Sequence, residues 1–127
     1  FLARSGLRVV GLVDADGAPT NAPECLAERK VNWRDDADAA EAAKACGIAR
    51  DEGLAERDPA ARLLDGFEHG WSIDMSDAIC LPDHCPAVVG NIIVYRDANH
   101  LSVAYADSLQ PLLARELEPI FDELERR

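Results

Sequence analysis

The sequence predicts an α/β fold, a three-layer parallel sheet flanked by helices, and three observations carry that expectation. Leu7-Arg8-Val9-Val10-Gly11-Leu12-Val13 is a nearly continuous apolar run released into Asp14-Ala15-Asp16-Gly17, the pattern of a central parallel strand buried on both faces. Trp71-Ser72-Ile73-Asp74-Met75 alternates apolar with polar residues, as a strand exposed on one face does. Near the C-terminus, Leu109, Leu112, Leu113, Leu117, Ile120, Phe121 and Leu124 recur at three- and four-residue steps, an apolar stripe with which a helix packs on a sheet.

The remaining elements follow in chain order. Phe1-Leu2-Ala3-Arg4-Ser5-Gly6 reads as the tail of a helix closed by a C′ glycine, so the chain is expected to begin inside a larger protein, with the N-terminal strands of its sheet missing. Residues 15–32 hold Gly17, Pro19, Asn21 and Pro23 and read as a long irregular loop carrying Cys25. Residues 35–50 are alanine-rich, acidic in their first turn and closed near Gly47, which predicts a helix with Cys46 at its C-terminal end. The Asp35-Asp36-x-Asp38 cluster belongs to that helix start; a calcium loop needs a glycine and a distal glutamate that do not follow. Asp58-Pro59 is an N-cap followed by proline at the first helical position, opening a short helix stopped by Gly66. Ala87-Val88-Val89 and Ile92-Ile93-Val94-Tyr95 flank Gly90-Asn91, a hairpin signal whose second arm delivers Asp97. Ser102 can cap the last helix, which Pro111 and Pro119 should kink or divide, and residues 123–127 are a solvated end.

At 127 residues and 48% hydrophobic, the chain is the size of one modest domain. Its net charge of −11 repels phosphate backbones and anionic headgroups, so nucleic acid is not an expected partner. No run approaches the roughly 20 apolar residues of a membrane span, and direct membrane insertion by this segment is not expected. Cys25, Cys46, Cys80 and Cys85 make an even set with one tight pair, for which two disulfides are the natural reading and an extracytoplasmic site of action the consequence. A Cys25–Cys46 bridge would pin the loop to the helix. Zinc held by Cys80, His84 and Cys85 is the competing reading, although the spacing fits no common zinc motif. Neither a cofactor nor a metal is expected on balance.

Asp97 and His100 stand three residues apart where a strand gives way to a helix. There a carboxylate can hold the Nδ1–H of an imidazole while Nε2 faces a nucleophile, two thirds of a catalytic triad. The same spacing also arises in helix caps, metal sites and plain surface. Asp14 and Asp16 sit where a parallel strand ends, the rim on which α/β proteins build sites, and Asp14 serves equally well as a loop cap. His84 and His69 read as surface histidines, and Trp33 and Trp71 as core or core-edge residues, with stacking on a sugar ring as the alternative.

The run Cys80-x4-Cys85-Pro86-Ala-Val-Val-Gly90-Asn91-Ile-Ile-Val-Tyr95-Arg96-Asp97-x-x-His100-Leu101-Ser102 resembles the C-terminal end of the SGNH-like domain fused to membrane acyltransferases of the acyltransferase-3 family. The strand over residues 9–14 and Pro23-Glu24-Cys25-Leu26 resemble the middle of the same domain. The resemblance implies an SGNH or flavodoxin-like sheet, with residues 1–127 forming the C-terminal portion of a single hydrolase-like domain. It implies O-acylation, in particular O-acetylation, of cell-surface carbohydrate, with Asp97 and His100 as partners of a serine in a Gly-Asp-Ser block. That block does not occur in the sequence, and Ser5, Ser72, Ser76, Ser102 and Ser108 lie in none of the required settings. The implied partners are an acyl donor delivered by a membrane acyltransferase domain and a carbohydrate acceptor, and the implied location is extracytoplasmic, tethered through the missing N-terminal part. Esterase chemistry and a non-catalytic carbohydrate-binding or interaction module are the alternatives.

Overall fold

In the computed structural model, which describes residues 9–13, 21–54, 59–64, 66–67 and 69–126, the first apolar run forms strand β1 (Val9–Val13). Asp14 and Asp16 lie outside the described residues, as do Phe1 to Gly6 and Asp58. The segment read as loop contains a helix, α1 (Ala22–Glu28). Asn21 is its N-cap, accepting from the Glu24 N–H at 3.4 Å, and Pro23 in the first turn lacks only an N–H the helix does not use there. The glycine- and proline-rich flanks masked this short helix. Lys30, two residues past its end, sits at φ 52°, the left-handed position that glycine usually occupies after a helix.

Helix α2 (Asp36–Ala45) starts as its acidic first turn predicts: Asp35 Oδ1 accepts from the N–H groups of Ala37 and Asp38 at 3.0 and 3.2 Å. Cys46 caps its end and is bonded to Cys25, so α1 is stapled to the close of α2. Strand β2 (Ile48–Ala49) and the single turn α3 (Arg50–Gly53) follow. Gly47 between α2 and β2 has no substitute, because a Cβ there would collide with the Cys85 carbonyl oxygen.

Helix α4 (Pro59–Leu64) leads into strand β3 (Gly70–Asp74), which runs parallel to β1 with Val9 opposite Gly70 and Val13 opposite Asp74. α4 packs against both strands. Ile73 is buried while Ser72 and Asp74 are exposed, the one-sided strand that the alternation predicts. The turn α5 (Ser76–Ile79) and strand β4 (His84–Cys85) enclose the second disulfide, Cys80–Cys85, and β4 pairs antiparallel with β2. Both sulfurs of the supposed zinc site are thus consumed, which removes that alternative.

Strands β5 (Val88–Val89) and β6 (Ile92–Ile93) form the expected hairpin, with Gly90 at φ 58° in open space. Helices α6 (Val103–Ser108) and α7 (Gln110–Arg126) divide the C-terminal stripe at Leu109, just before Pro111, whereas Pro119 lies within α7. Ile120 is buried against its surroundings, Leu112, Leu113, Leu117 and Leu124 are half-buried, and Phe121 departs from the stripe by being exposed. Trp71 Nε1–H donates to Glu123 Oε2 at 3.3 Å, tying β3 to α7. The fold is therefore α/β. Among the described residues its parallel pairing is confined to β1 and β3, and the other two pairs are short and antiparallel.

The core gathers around small and medium side chains: Ala22, Leu26, Ala42, Ile48, Ile79 and Val94, with Tyr95 and Tyr105 as its large members. Cys46, Cys80 and Cys85 belong to it, so the cross-links lie inside the packing. Tyr105 reaches from α6 to donate to the Ala78 carbonyl at 2.5 Å, which gives the buried hydroxyl its partner and fixes α6 on α5. Among the described residues no helix is long and apolar enough to cross a membrane.

Two stability outcomes follow from these contacts. Replacing Cys25 and Cys46 together by serine opens a cross-link between residues 21 apart; the loop-entropy relation gives a loss of about 3 kcal/mol, read in thermal melts as a fall of roughly 10 °C. Lys30→Gly relieves the left-handed backbone and raises stability by about 0.5–1 kcal/mol, measurable by urea denaturation; an unchanged midpoint would contradict that account.

Candidate functional site

The hairpin's second arm continues into a loop whose ends are held together. Ser102 N–H donates to the Val94 carbonyl at 2.8 Å, Arg96 N–H donates to the His100 carbonyl at 2.8 Å, and Tyr95 and Leu101 form an antiparallel bridge. Val94 and Tyr95 are fully buried, so this closure is anchored in the core. Ser102 completes it: its hydroxyl donates to the Ile93 carbonyl at 2.5 Å and accepts from the Tyr105 N–H at 3.1 Å, capping α6.

Within the closed loop Asp97 turns its carboxylate back on the chain. Oδ1 accepts from the N–H of Asn99 at 2.8 Å and from the N–H of His100 at 2.9 Å, the turn that aspartate favours for this reason. The His100 ring adds itself to the same carboxylate, with Nδ1 at 2.9 Å from Oδ1 and 3.0 Å from Oδ2. Arg96 approaches Oδ2 through Nε and Nη2 at 3.3 Å each. These two contacts are longer, and the Arg96 side chain is largely in water, so the backbone and the imidazole govern the carboxylate.

The electrostatic result is a carboxyl held well below the ordinary carboxylate range, first by the Asn99 N–H and then by the His100 ring. An ionised Asp97 accepts, so the Nδ1 of His100 must carry its proton and Nε2 is left as the basic nitrogen of the neutral ring. Among the described residues Nε2 has no partner, and the His100 side chain is 64% exposed. The arrangement can take a proton from a hydroxyl brought against Nε2 and hold the resulting cation beside a carboxylate.

The other residues singled out by sequence fall differently. Ser102 and Ser108 have their hydroxyls committed to backbone carbonyls, and Ser76 is buried beside Asp74, so none is poised as a nucleophile. Trp33 is not core: it is 52% exposed at the approach to α2. Trp71 is half-buried, as expected. His69 is not a surface residue in the simple sense, since its Nδ1 is buried without a hydrogen-bond partner among the described residues and its ring centroid lies 6.4 Å from that of Trp71. His84 is only 16% exposed, with Nδ1 2.7 Å from Asp83 Oδ1, a second carboxylate–imidazole pair. The adjacency of Asp83 and His84 between two cysteines five positions apart was the available signal for it. Among the described residues no group of three or more His, Cys, Asp or Glu side chains is placed to hold a metal ion.

The structure thus presents an Asp–His pair on a loop between a strand and a helix, with no partner for the distal nitrogen among the described residues. The family model described as the SGNH domain fused to AT3 domains matches residues 1–115, and the chain belongs to that family. No curated protein and no solved structure matches it.

Hydrogen bonding from folded-state N–H groups lowers the pKa of Asp97, and neighbouring donors do the same for Asp74 and Asp83. A carboxylate of this kind contributes stability above its unfolded value, 3.8, and loses it as pH falls through the lower folded value. Thermal melts should therefore be insensitive to these groups at neutral pH and show a progressive loss of stability below about pH 4. Asp97→Ala should flatten that acid limb; an identical acid limb in the variant would contradict the assignment.

Proposed function

We propose that this chain is the C-terminal part of an extracytoplasmic serine acyltransferase domain that O-acylates, and in particular O-acetylates, cell-surface carbohydrate. Asp97 and His100 serve as the acid and base of a Ser-His-Asp triad. The observation that carries the reading is the Asp97 carboxylate fixed at 2.9 Å from His100 Nδ1 while Nε2 stays open. Membership in a family of SGNH domains fused to AT3 domains supports acyl transfer as the surrounding chemistry. In this reading the serine comes from a Gly-Asp-Ser block outside these residues, and residues 1–127 complete a three-layer parallel sheet to which β1 and β3 belong.

The chemistry then runs in two halves. Nε2 of His100 accepts the proton of the serine hydroxyl as its oxygen attacks the acyl carbonyl, and returns that proton to the departing group. Nε2 next accepts the proton of a sugar hydroxyl as that oxygen attacks the acyl-serine, and the proton finally returns to the serine oxygen. Asp97 stays ionised throughout, keeps the ring in its Nδ1–H tautomer and stabilises the imidazolium. Where water replaces the sugar hydroxyl the same steps give an esterase. The acyl donor is delivered by the membrane acyltransferase domain of the parent, to which this domain is tethered.

The test is made on the full-length protein. His100→Ala should abolish both O-acylation and fluorophosphonate labelling of the serine, and Asp97→Asn should lower turnover by about 10⁴-fold through the wrong tautomer. Unchanged O-acylation in His100→Ala would refute the role. The exposed Trp33 favours a second reading, a carbohydrate-binding module, in which sugar binding persists in His100→Ala and is lost in Trp33→Ala.

A further inference from the structure

A cavity of about 550 Å³ lies between α2, the Cys80–Cys85 loop, the β5 strand and α6. Neither Asp97 nor His100 lines it, and its walls are mainly aliphatic, including Ala40, Ala43, Ile79, Pro86 and Val88. Its volume falls in the range of small-molecule sites, which combine an apolar lining with a few convergent polar groups.

The polar groups at this cavity are few. Of the lining residues, Lys44 pairs with Asp83 at 3.3 Å and Asp77 with Arg50 at 2.6 Å, so the cation and the anion at the cavity each have a partner outside it. His84 lines the cavity, and its Nδ1 is occupied by Asp83 Oδ1 at 2.7 Å. Its Nε2 has no partner among the described residues. With Nδ1–H donating to the carboxylate, Nε2 of the neutral ring is an acceptor that asks for a donor.

The four-residue loop that carries His84 is held by more than its disulfide. The Cys80–Cys85 disulfide closes it, Leu81 N–H donates to the His84 carbonyl at 2.7 Å, and Arg50 N–H donates to the Asp83 carbonyl at 3.2 Å. The Arg50 guanidinium adds two bonds, from Nη1 to the carbonyls of Cys80 and Leu81 at 3.1 Å each. A side chain fixed by such a shell keeps its hydrogen-bonding direction before a ligand arrives.

We propose that this cavity is a binding site, separate from the Asp97–His100 pair, for a neutral hydroxyl-bearing molecule with an apolar body. The body lodges against the aliphatic walls and the hydroxyl donates to His84 Nε2. An anion is disfavoured because a carboxylate would set an acceptor against the acceptor Nε2, and a molecule without a donor leaves Nε2 unpaired.

Nuclear magnetic resonance titration of the oxidised 127-residue protein with cyclohexanol, methoxycyclohexane and cyclohexanecarboxylate tests this. Cyclohexanol should shift the Ile79, Val88 and His84 resonances saturably. The ether and the carboxylate should bind at least about tenfold more weakly, the cost of one unmade hydrogen bond. His84→Ala should erase the difference between alcohol and ether. Ala40→Trp, a change on an exposed helix position that fills the mouth, should abolish binding without depending on the His84 loop. His100→Ala should bind cyclohexanol normally, so that the two sites fail or stand independently. Absence of saturable shifts, equal affinity for alcohol and ether, or shifts that survive in Ala40→Trp would each overturn the proposal.

Discussion

The two disulfides constrain everything else in this chain. Outside β1 and β3 the paired strands are two residues long, too short to order a sheet by their own hydrogen bonds, and much of the core is built from alanine and other small side chains. Cys25–Cys46 sets α1 on the end of α2, and Cys80–Cys85 forms the wall against which Gly47 must pass without a side chain. With those junctions closed, Ala87 N–H can reach the Ala43 carbonyl and Val94 N–H the Ala87 carbonyl, both near 2.8–2.9 Å, which carries order from α2 through the hairpin to the candidate site. The cross-links thus substitute for area that the small core does not bury.

The site inherits its geometry from that chain of contacts but not its chemistry. Buried Val94 and Tyr95 locate the loop, while the acid–base pairing is made within four residues by Asp97, Asn99 and His100. This division explains why the pair could be read from sequence. Asp-x-x-His followed by a serine cap encodes its own turn, and the structure places these residues as local preferences direct. The Gly90-Asn91 hairpin, the Asp35 cap and the Ser102 cap were legible for the same reason.

Features that depend on distant residues were not legible. Trp33 carries the composition of a core residue, yet among the described residues no element covers it, and Phe121 has the spacing of an apolar stripe but is exposed. His69 and His84 looked like surface residues, yet both are only partly exposed, a burial that depends on parts of the chain distant in sequence. Helix α1 was hidden by the glycines and prolines around it, although Asn21 and Pro23 were its start signal. The wider sheet is a question of the same kind, since its strand neighbours are set by topology rather than by local pattern.

The closure at Val94 and Ser102 has a mechanical meaning. Every group that orients the His100 ring rides on the segment between those two residues, and the segment is joined to the body by backbone bonds at its base and by the cap on α6. It is a single unit with one seat. A displacement of α6 would carry carboxylate and imidazole together, leaving their mutual geometry intact while changing their distance to whatever they act upon. In such a device alignment and internal chemistry are tuned separately, the first by packing beneath Tyr105 and the second by the four residues of the turn.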